Sequence, residues 1–402
     1  MRVALVSEHA SPLAALGGAD AGGQNVHVAA LAAALADLGA TVDVYTRRDD
    51  GGLPPSVDVV PGVTVHHVAA GPARPLPKDH LVPYLPALTR GLEEAWSLRR
   101  PDVVHAHFWM SGICALNAAP GAVPVLQTYH ALGTVKRRHQ GHADTSPRCR
   151  LAAECRIADE AAHIIATSSD EVFELRRMGA ESRSISVIPC GVDLDRFTPD
   201  GPAELRSGRP RIVCVSRFVE RKGLDDVVRA LPLLPDYELV LAGGPARDQL
   251  DRDPVARGLR AVAEAEGVAD RLSLRGSIGR DAVPALLRSA DVVCCTPWYE
   301  PFGIVPLETM ACGVPVVATA VGGLIDTVVH GVTGLHVPPR RPDAIADAVA
   351  SIADRPELRD ELGAAGRARA EARYGWPRIG AASLDIYRAV LRESVDTAEA
   401  YA

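Results

Sequence analysis

Trp298-Tyr299-Glu300-Pro301-Phe302-Gly303-Ile304-Val305-Pro306-Leu307-Glu308 runs on into Thr309-Met310-Ala311-Cys312-Gly313 and the apolar run Val314 to Ala318. The apolar stretch before it, Asp291 to Thr296, predicts a buried parallel strand that ends in a loop. Pro301 stiffens that loop, and Gly303 lets backbone approach a ligand closely. A helix is expected to start near Ile304. Its free N–H groups would then point into the mouth of a sheet, where anions and hydroxyl oxygens are favoured. Glu300 stands before the helix and Glu308 about a turn inside it. Two carboxylates flanking a bare helix end suit a ligand that carries both phosphates and hydroxyls, such as a nucleotide sugar.

Working outward, short apolar strands alternate with Ala-rich helices along the whole chain. In the N-terminal half the expected strands are Val3–Val6, Thr41–Tyr45, Thr64–Val68, Val103–Ala106, Val123–Gln127, His163–Ala166 and Ile185–Ile188. Helices are expected over 25–38, 88–98 and 169–178, the last capped by Ser168 or Ser169. A Pro-, Gly- and Ser-rich stretch from Pro189 to Pro210 then predicts an interdomain linker. After it the pattern restarts, with strands Ile212–Ser216, Glu238–Ala242, Leu272–Arg275, Asp291–Cys295 and Val314–Ala318. The fold class is therefore α/β, with two Rossmann-like, doubly wound parallel-sheet domains. Their boundary is expected at 197/198. A break at Tyr374-Gly375-Trp376-Pro377 precedes a last amphipathic helix. Open sheets of this kind bind ligands at the carboxyl ends of their strands. Two of them facing each other would make a cleft.

The chain has 402 residues and a formal net charge of −7. That balance makes no case for a nucleic acid or an anionic membrane. The sequence holds eight scattered cysteines and no C-x2-C pair, so they read as free, buried thiols of a reducing cytoplasm. No apolar run reaches transmembrane length, and no signal segment opens the chain. A homodimer is left open. High Ala, Arg, Gly and Pro with few Lys point to a high-GC bacterial genome.

Five segments join the opening stretch as candidate site elements. Gly17-Gly18-Ala19-Asp20-Ala21-Gly22-Gly23-Gln24-Asn25 leads from the first strand into a helix, a place where glycines admit a phosphate; it is not the G-x-G-x-x-G dinucleotide fingerprint. Val103-Val104-His105-Ala106-His107-Phe108-Trp109 ends a strand, with His105 and His107 on one face. The alternatives there are a metal pair or a wall of the ligand site, and the wall is preferred. Thr128-Tyr129-His130 closes the following strand, so His130 can hydrogen-bond a sugar hydroxyl. Lys136-Arg137-Arg138-His139 is a basic run expected in a loop, either solvated or holding an acidic acceptor. In the C-terminal half, Val215-Ser216-Arg217-Phe218-Val219-Glu220-Arg221-Lys222-Gly223 sets cations at a helix start. That makes sense if an anion lies between Arg217 and Lys222.

The Glu300-x7-Glu308 string, with Ala311-Cys312-Gly313-Val314-Pro315, resembles the signature of retaining, metal-independent GT-B glycosyltransferases of family four, the sucrose-phosphate synthase and glycogen synthase-like group. The Gly-rich loop is most similar to that of the mycothiol-pathway enzymes that put N-acetylglucosamine on inositol phosphate. The resemblance spans nearly the whole chain. It implies that the 376–402 helix crosses back to the N-terminal domain. It also implies that Gly22, Gly23, Arg217, Lys222, Gly303, Ile304 and Val305 meet the donor phosphates, that Phe302 lines the donor site, and that the segment of Arg275 and Ser277 meets the base through backbone groups. Glu308 would take the ribose hydroxyls, and Glu300 and His130 the sugar. Asn25, Lys78, Phe108 and Arg150 fall at acceptor positions. Two hydroxyl-bearing positions of the inositol-phosphate pattern read Phe108 and Ala131 here, which leaves the acceptor open. UDP is the expected nucleotide, with GDP or ADP as alternatives. N-acetylglucosamine or glucose is the expected sugar. No metal and no separate cofactor are expected. The same architecture also carries sugar-nucleotide epimerases and phosphorylases, and a silent nucleotide-sugar binder would share it.

Overall fold

The computed structural model describes residues 1–13, 22–181 and 184–400, with side chains through 393. The glycine stretch 17–21 lies outside the described residues. The chain forms two compact units. One runs from the N-terminus to Cys190 and includes the helix from Trp376; the other is Gly191–Gly375.

The first unit is built on eight strands: β1 (Arg2–Val6), β2 (Thr41–Arg47), β3 (Ser56–Val60), β4 (Val63–Val68), β5 (Val103–His107), β6 (Val125–Thr128), β7 (His163–Ala166) and β8 (Ile185–Val187). Their order is β3-β4-β2-β1-β5-β6-β7-β8. All pairs are parallel except β3 with β4. Central strands such as β1 and β5 are buried on both faces, which is why β1 reads as an unbroken apolar run from Val3 to Val6, and why the two histidines of β5 are buried as well. The sequence reading missed β3. Its side chains are mostly exposed, so it carries no apolar alternation; Pro61-Gly62, with Gly62 at φ 84°, makes the tight turn that returns it into β4. The reading also missed the helices Trp109–Ala118, Gly133–Gln140 and Arg150–Glu160. The second of these carries Lys136 to His139, so that basic run is helical and not a loop.

The last helix, Trp376–Ala400, lies against the helix Gly23–Asp37. Gly380 allows the approach, since a Cβ there would stand 2.8 Å from the Ala34 Cβ. Tyr387 from this helix is fully buried and pairs through its hydroxyl with His105 Nδ1 at 2.7 Å.

The second unit has six strands: β9 (Arg211–Val215), β10 (Glu238–Ala242), β11 (Leu272–Gly276), β12 (Val292–Cys295), β13 (Val316–Thr319) and β14 (Leu335–Val337). Their order is β11-β10-β9-β12-β13-β14, all parallel. The winding reverses between β9 and β12, so the segments leaving those two strands border the crevice where such sheets take ligands. The sequence reading did not include β14. The break between the units falls at 190/191, ahead of the expected 197/198. Residues 192–206 are not a loose linker. Val192 N–H donates to the Tyr374 carbonyl, Glu204 N–H to the Ala285 carbonyl, and Arg288 reaches the Pro202 and Thr198 carbonyls.

Among the described residues no helix is long and apolar enough to cross a membrane. All eight cysteines are free thiols; Cys149 and Cys155 are exposed, contrary to the buried set expected.

Candidate active site

In the second unit the site grows from the reversal point. After β9 the chain passes Arg217, which is exposed, and reaches the short turn Glu220–Lys222. Gly223 then adopts φ 60°, and a Cβ there would lie 2.2 Å from the Thr296 carbonyl oxygen. That contact presses the β9 exit against the β12 exit. Thr296 Oγ1 donates to the Gly223 carbonyl at 3.0 Å, and Trp298 N–H donates to the Arg221 carbonyl at 2.8 Å. The two loops are thus joined by hydrogen bonds to the Gly223 and Arg221 carbonyls. The result is an ion pair between Lys222 Nζ and Glu300 Oε2. Arg221 lies 3.9 Å from the same carboxylate oxygen and stacks on Tyr299 at 5.0 Å. Burial pushes the Glu300 carboxyl up, but Lys222, Arg221 and Arg217 together outweigh it and hold it below the usual carboxylate range.

The helix expected near Ile304 spans Ile304–Ala311, with Gly303 as N-cap at φ 88° and no side chain capping it. Its first turn holds no acidic residue, so its N–H groups are left for a ligand. The loop before it is fixed by Gly322 and Gly323. Gly323 N–H donates to the Glu300 carbonyl at 3.0 Å, and a Cβ on Gly322 would stand 2.2 Å from that oxygen. Glu308 is 4% exposed and lies 3.0 Å from Arg280, a partner the sequence reading did not name. Burial pushes the Glu308 carboxyl up to about 7 against the pull of Arg280. Phe302 is buried beside Tyr374, ring centroids 6.5 Å apart. Arg275 is drawn to Glu204 at 3.2 Å, and Ser277 N–H donates to the Pro245 carbonyl at 2.7 Å.

In the first unit His130 follows β6 and His107 ends β5. His107 Nδ1 and His130 Nε2 are 3.0 Å apart. His130 has φ 60° and Phe108 φ 79°, left-handed conformations that non-glycine residues adopt where packing over-determines them. His105 and His107 share a face, ring centroids 4.2 Å apart, as the period of two required. Burial drives His107 and His130 well below the ordinary imidazole range, and takes His27 to about 4 and His105 to about 3, so the cluster is neutral. Among the described residues no group of three His, Cys, Asp or Glu could hold a metal ion. Two Asp-x-Asp triplets occur and serve the backbone. Asp193 accepts from the Asp195 and Arg196 N–H groups, and Asp253 caps the helix Pro254–Ala265.

The expected acceptor residues partly converge. Arg150 stacks over Phe108 at 5.0 Å and donates to the Ala131 carbonyl at 2.6 Å. It is buried, and Glu154 matches its charge at 2.7 Å. Lys78 opens a short turn whose Asp79 takes the Thr145 hydroxyl at 2.6 Å and lies 3.9 Å from Lys136. Lys136 is also paired with Asp144, and Arg138 with Glu174, so neither stands as a bare cation. Asn25 is tied into its own loop. Its Oδ1 accepts from Gly22 N–H at 3.0 Å and its Nδ2 donates to the Ser11 carbonyl at 2.9 Å, so it shapes the loop. Gly23 is the first residue of the helix and is exposed. Sequence reasoning missed Glu8 and His9 at the exit of β1. Glu8 is buried, accepts from the Ser111 hydroxyl and lies 2.6 Å from His9 Nδ1, and His9 meets Phe108 edge-on at 4.9 Å. The strand-exit rule applied to His130 would have found them.

Residues 21–196 match the model of Glycosyltransferase Family 4, and residues 198–369 that of Glycosyl transferases group 1. The D-inositol 3-phosphate glycosyltransferase of Kribbella flavida is 39% identical over 407 residues, covering 96% of this chain and 95% of that protein. The Streptomyces griseus protein of the same name is 35% identical over 434 residues, covering 100% and 91%. The solved sucrose-phosphate synthase of Thermosynechococcus elongatus superposes with a TM-score of 0.90 at 32% identity, covering 98% of this chain and 99% of that one. The chain belongs to the GT-B glycosyltransferases of family four, enzymes that move a sugar from a nucleotide sugar to an acceptor.

Proposed function

We propose that this glycosyltransferase is retaining and metal-independent, and that it moves a hexosyl group from a nucleoside-diphosphate sugar to a hydroxyl of a small polar acceptor. UDP is the nucleotide, N-acetylglucosamine or glucose the sugar, and a cyclitol phosphate or sugar phosphate the acceptor. The observation that carries the reading is the Lys222–Glu300 pair beside the uncapped helix end at Gly303–Val305. Lys222, Arg217 and that helix end supply the positive charge a departing diphosphate needs, the work a metal does elsewhere. Glu300 takes sugar hydroxyls, Glu308 the ribose, and the N–H groups of Ile304 and Val305 the phosphates. Taken by itself, the first unit offers Gly22 and Gly23 to phosphate and His130 to a sugar hydroxyl. The bond from the anomeric carbon to the phosphate oxygen breaks, and its electron pair leaves with the diphosphate. The acceptor oxygen bonds to the same face of that carbon, and its proton passes to a phosphate oxygen of the leaving group.

The relatives named for D-inositol 3-phosphate favour a cyclitol phosphate acceptor, and the neighbour named sucrose-phosphate synthase favours a sugar phosphate. Arg150 is already balanced by Glu154 and faced by Phe108, which keeps both acceptors in the proposal. The test is a matrix of UDP-, GDP- and ADP-sugars against inositol phosphates and hexose phosphates, in EDTA, read by nucleotide release and by the anomeric proton coupling of the product. Release of nucleotide with an axial product linkage from an axial donor supports the reading. An inverted product, or a strict need for divalent metal, contradicts it.

A further inference from the structure

We propose that His107 fixes the proton pattern of His130, so that His130 meets the sugar as an N–H donor through Nδ1 and takes no proton during transfer. This rests on the reading of His130 as a sugar contact and adds the chemistry by which the contact is made.

One proton lies between His107 Nδ1 and His130 Nε2, which are 3.0 Å apart. His107 is fully buried, and its Nε2 has no partner among the described residues. Two arrangements of a neutral pair are open. If His130 Nε2 carries the shared proton, His107 must carry its own on Nε2, a buried N–H that donates to nothing. If His107 Nδ1 carries it, His107 Nε2 is a bare lone pair. A buried orphan donor is the rarer and costlier of the two. The neighbours cannot rescue the first arrangement. Both nitrogens of His105 are taken, by the Tyr387 hydroxyl at 2.7 Å and Thr128 Oγ1 at 2.9 Å. His27 turns its Nδ1 to Cys190 Sγ at 3.4 Å. Burial keeps both members of the pair uncharged.

His107 Nδ1–H therefore donates, His130 Nε2 accepts, and the one proton left to His130 sits on Nδ1. With Nε2 occupied and Nδ1 protonated, His130 has no lone pair for the acceptor's proton, which agrees with its passage to the leaving phosphate. His107 is a positioning residue; His130 is the group that touches substrate.

Long-range 1H–15N correlation spectra of the unliganded full chain, labelled at histidine nitrogen, read the tautomers directly. His107→Asn and His130→Asn assign the two rings. Both rings are expected as Nδ1–H tautomers at pH 7. An Nε2–H tautomer or an imidazolium at His130 would overturn the proposal. His107→Asn keeps an amide donor near the Nδ1 position and should hold the His130 tautomer; His107→Leu should release it into a mixture. Turnover should fall about tenfold in the Leu variant, the scale of one hydrogen bond, and less in the Asn variant. The same His130 spectrum in both variants would also overturn it. Nδ1–H spectra together with full transfer by His130→Asn would instead defeat the sugar contact, a failure of the earlier reading and not of the tautomer.

Discussion

Lys222 and Glu300, 78 residues apart in the chain, are bonded to each other at the point where the second sheet reverses its winding. The cation that would meet a donor's phosphate is thus held by the carboxylate that would meet its sugar. On the proposed reading, a donor's phosphate would draw Lys222 from Glu300, and the freed carboxylate would accept hydrogen bonds from the sugar hydroxyls.

Lys222→Ala should lower kcat/KM by about 100-fold or more, the loss typical of one preorganised charge stabiliser. It should also reveal how Glu300 contributes to stability. Glu300 is held below the usual carboxylate range, so its stabilising share is full at neutral pH and is lost as pH falls through its folded-state value. Removing Lys222 raises that value. The stability gap between wild type and variant should therefore be widest near pH 7 and close in acid, as urea titrations at pH 7 and pH 4 would read. A gap independent of pH would contradict the pairing.

Glu308 makes the opposite prediction. Its carboxyl is raised to about 7 by burial, so the folded chain holds a proton there that the unfolded chain has released above its ordinary value. Between about pH 5 and 8 this group makes the unliganded protein less stable as pH rises. Glu308→Gln should flatten the fall. Thermal midpoints across that range, variant against wild type, check the sign.

Gly322→Ala tests the scaffold behind Glu300. A Cβ would stand 2.2 Å from the Glu300 carbonyl oxygen, and Gly322 has φ 50°. The substitution should cost about 1–3 kcal/mol, the scale of a strained backbone position. It should also cut turnover by displacing the carboxylate. Loss of stability with unchanged turnover would separate Glu300 from the site.

Tyr387→Phe tests the C-terminal helix. It leaves His105 Nδ1 buried and unpaired, at a cost of about 1–3 kcal/mol. Urea unfolding measures it.

Much of this was legible in the sequence because the strand exits are both apolar-bounded and chemically marked. Glu300, Gly303 and Glu308 could be placed from one stretch, since a buried strand, a stiff loop and a helix start follow from local residue type. Lys222 was legible as a cation at a helix start. Its pairing was not, because it depends on Gly223 pressing on Thr296 from another strand. Arg280 beside Glu308, and Glu8 with His9, were missed for the same reason: their meaning comes from neighbours distant in sequence. Strand β3 was missed because an exposed edge has no apolar pattern to read. The bonds of the Asn25 amide to Gly22 and Ser11 were not legible either, because they depend on how its loop folds back.

Titration calorimetry of UDP binding in EDTA, wild type against Lys222→Ala, tests the central claim most directly. The account predicts a saturable isotherm for the wild type and at least tenfold weaker binding for the variant, the scale of a charge-assisted hydrogen bond to phosphate. Equal affinity in the two proteins, or binding by the wild type only after a divalent metal is added, would contradict it.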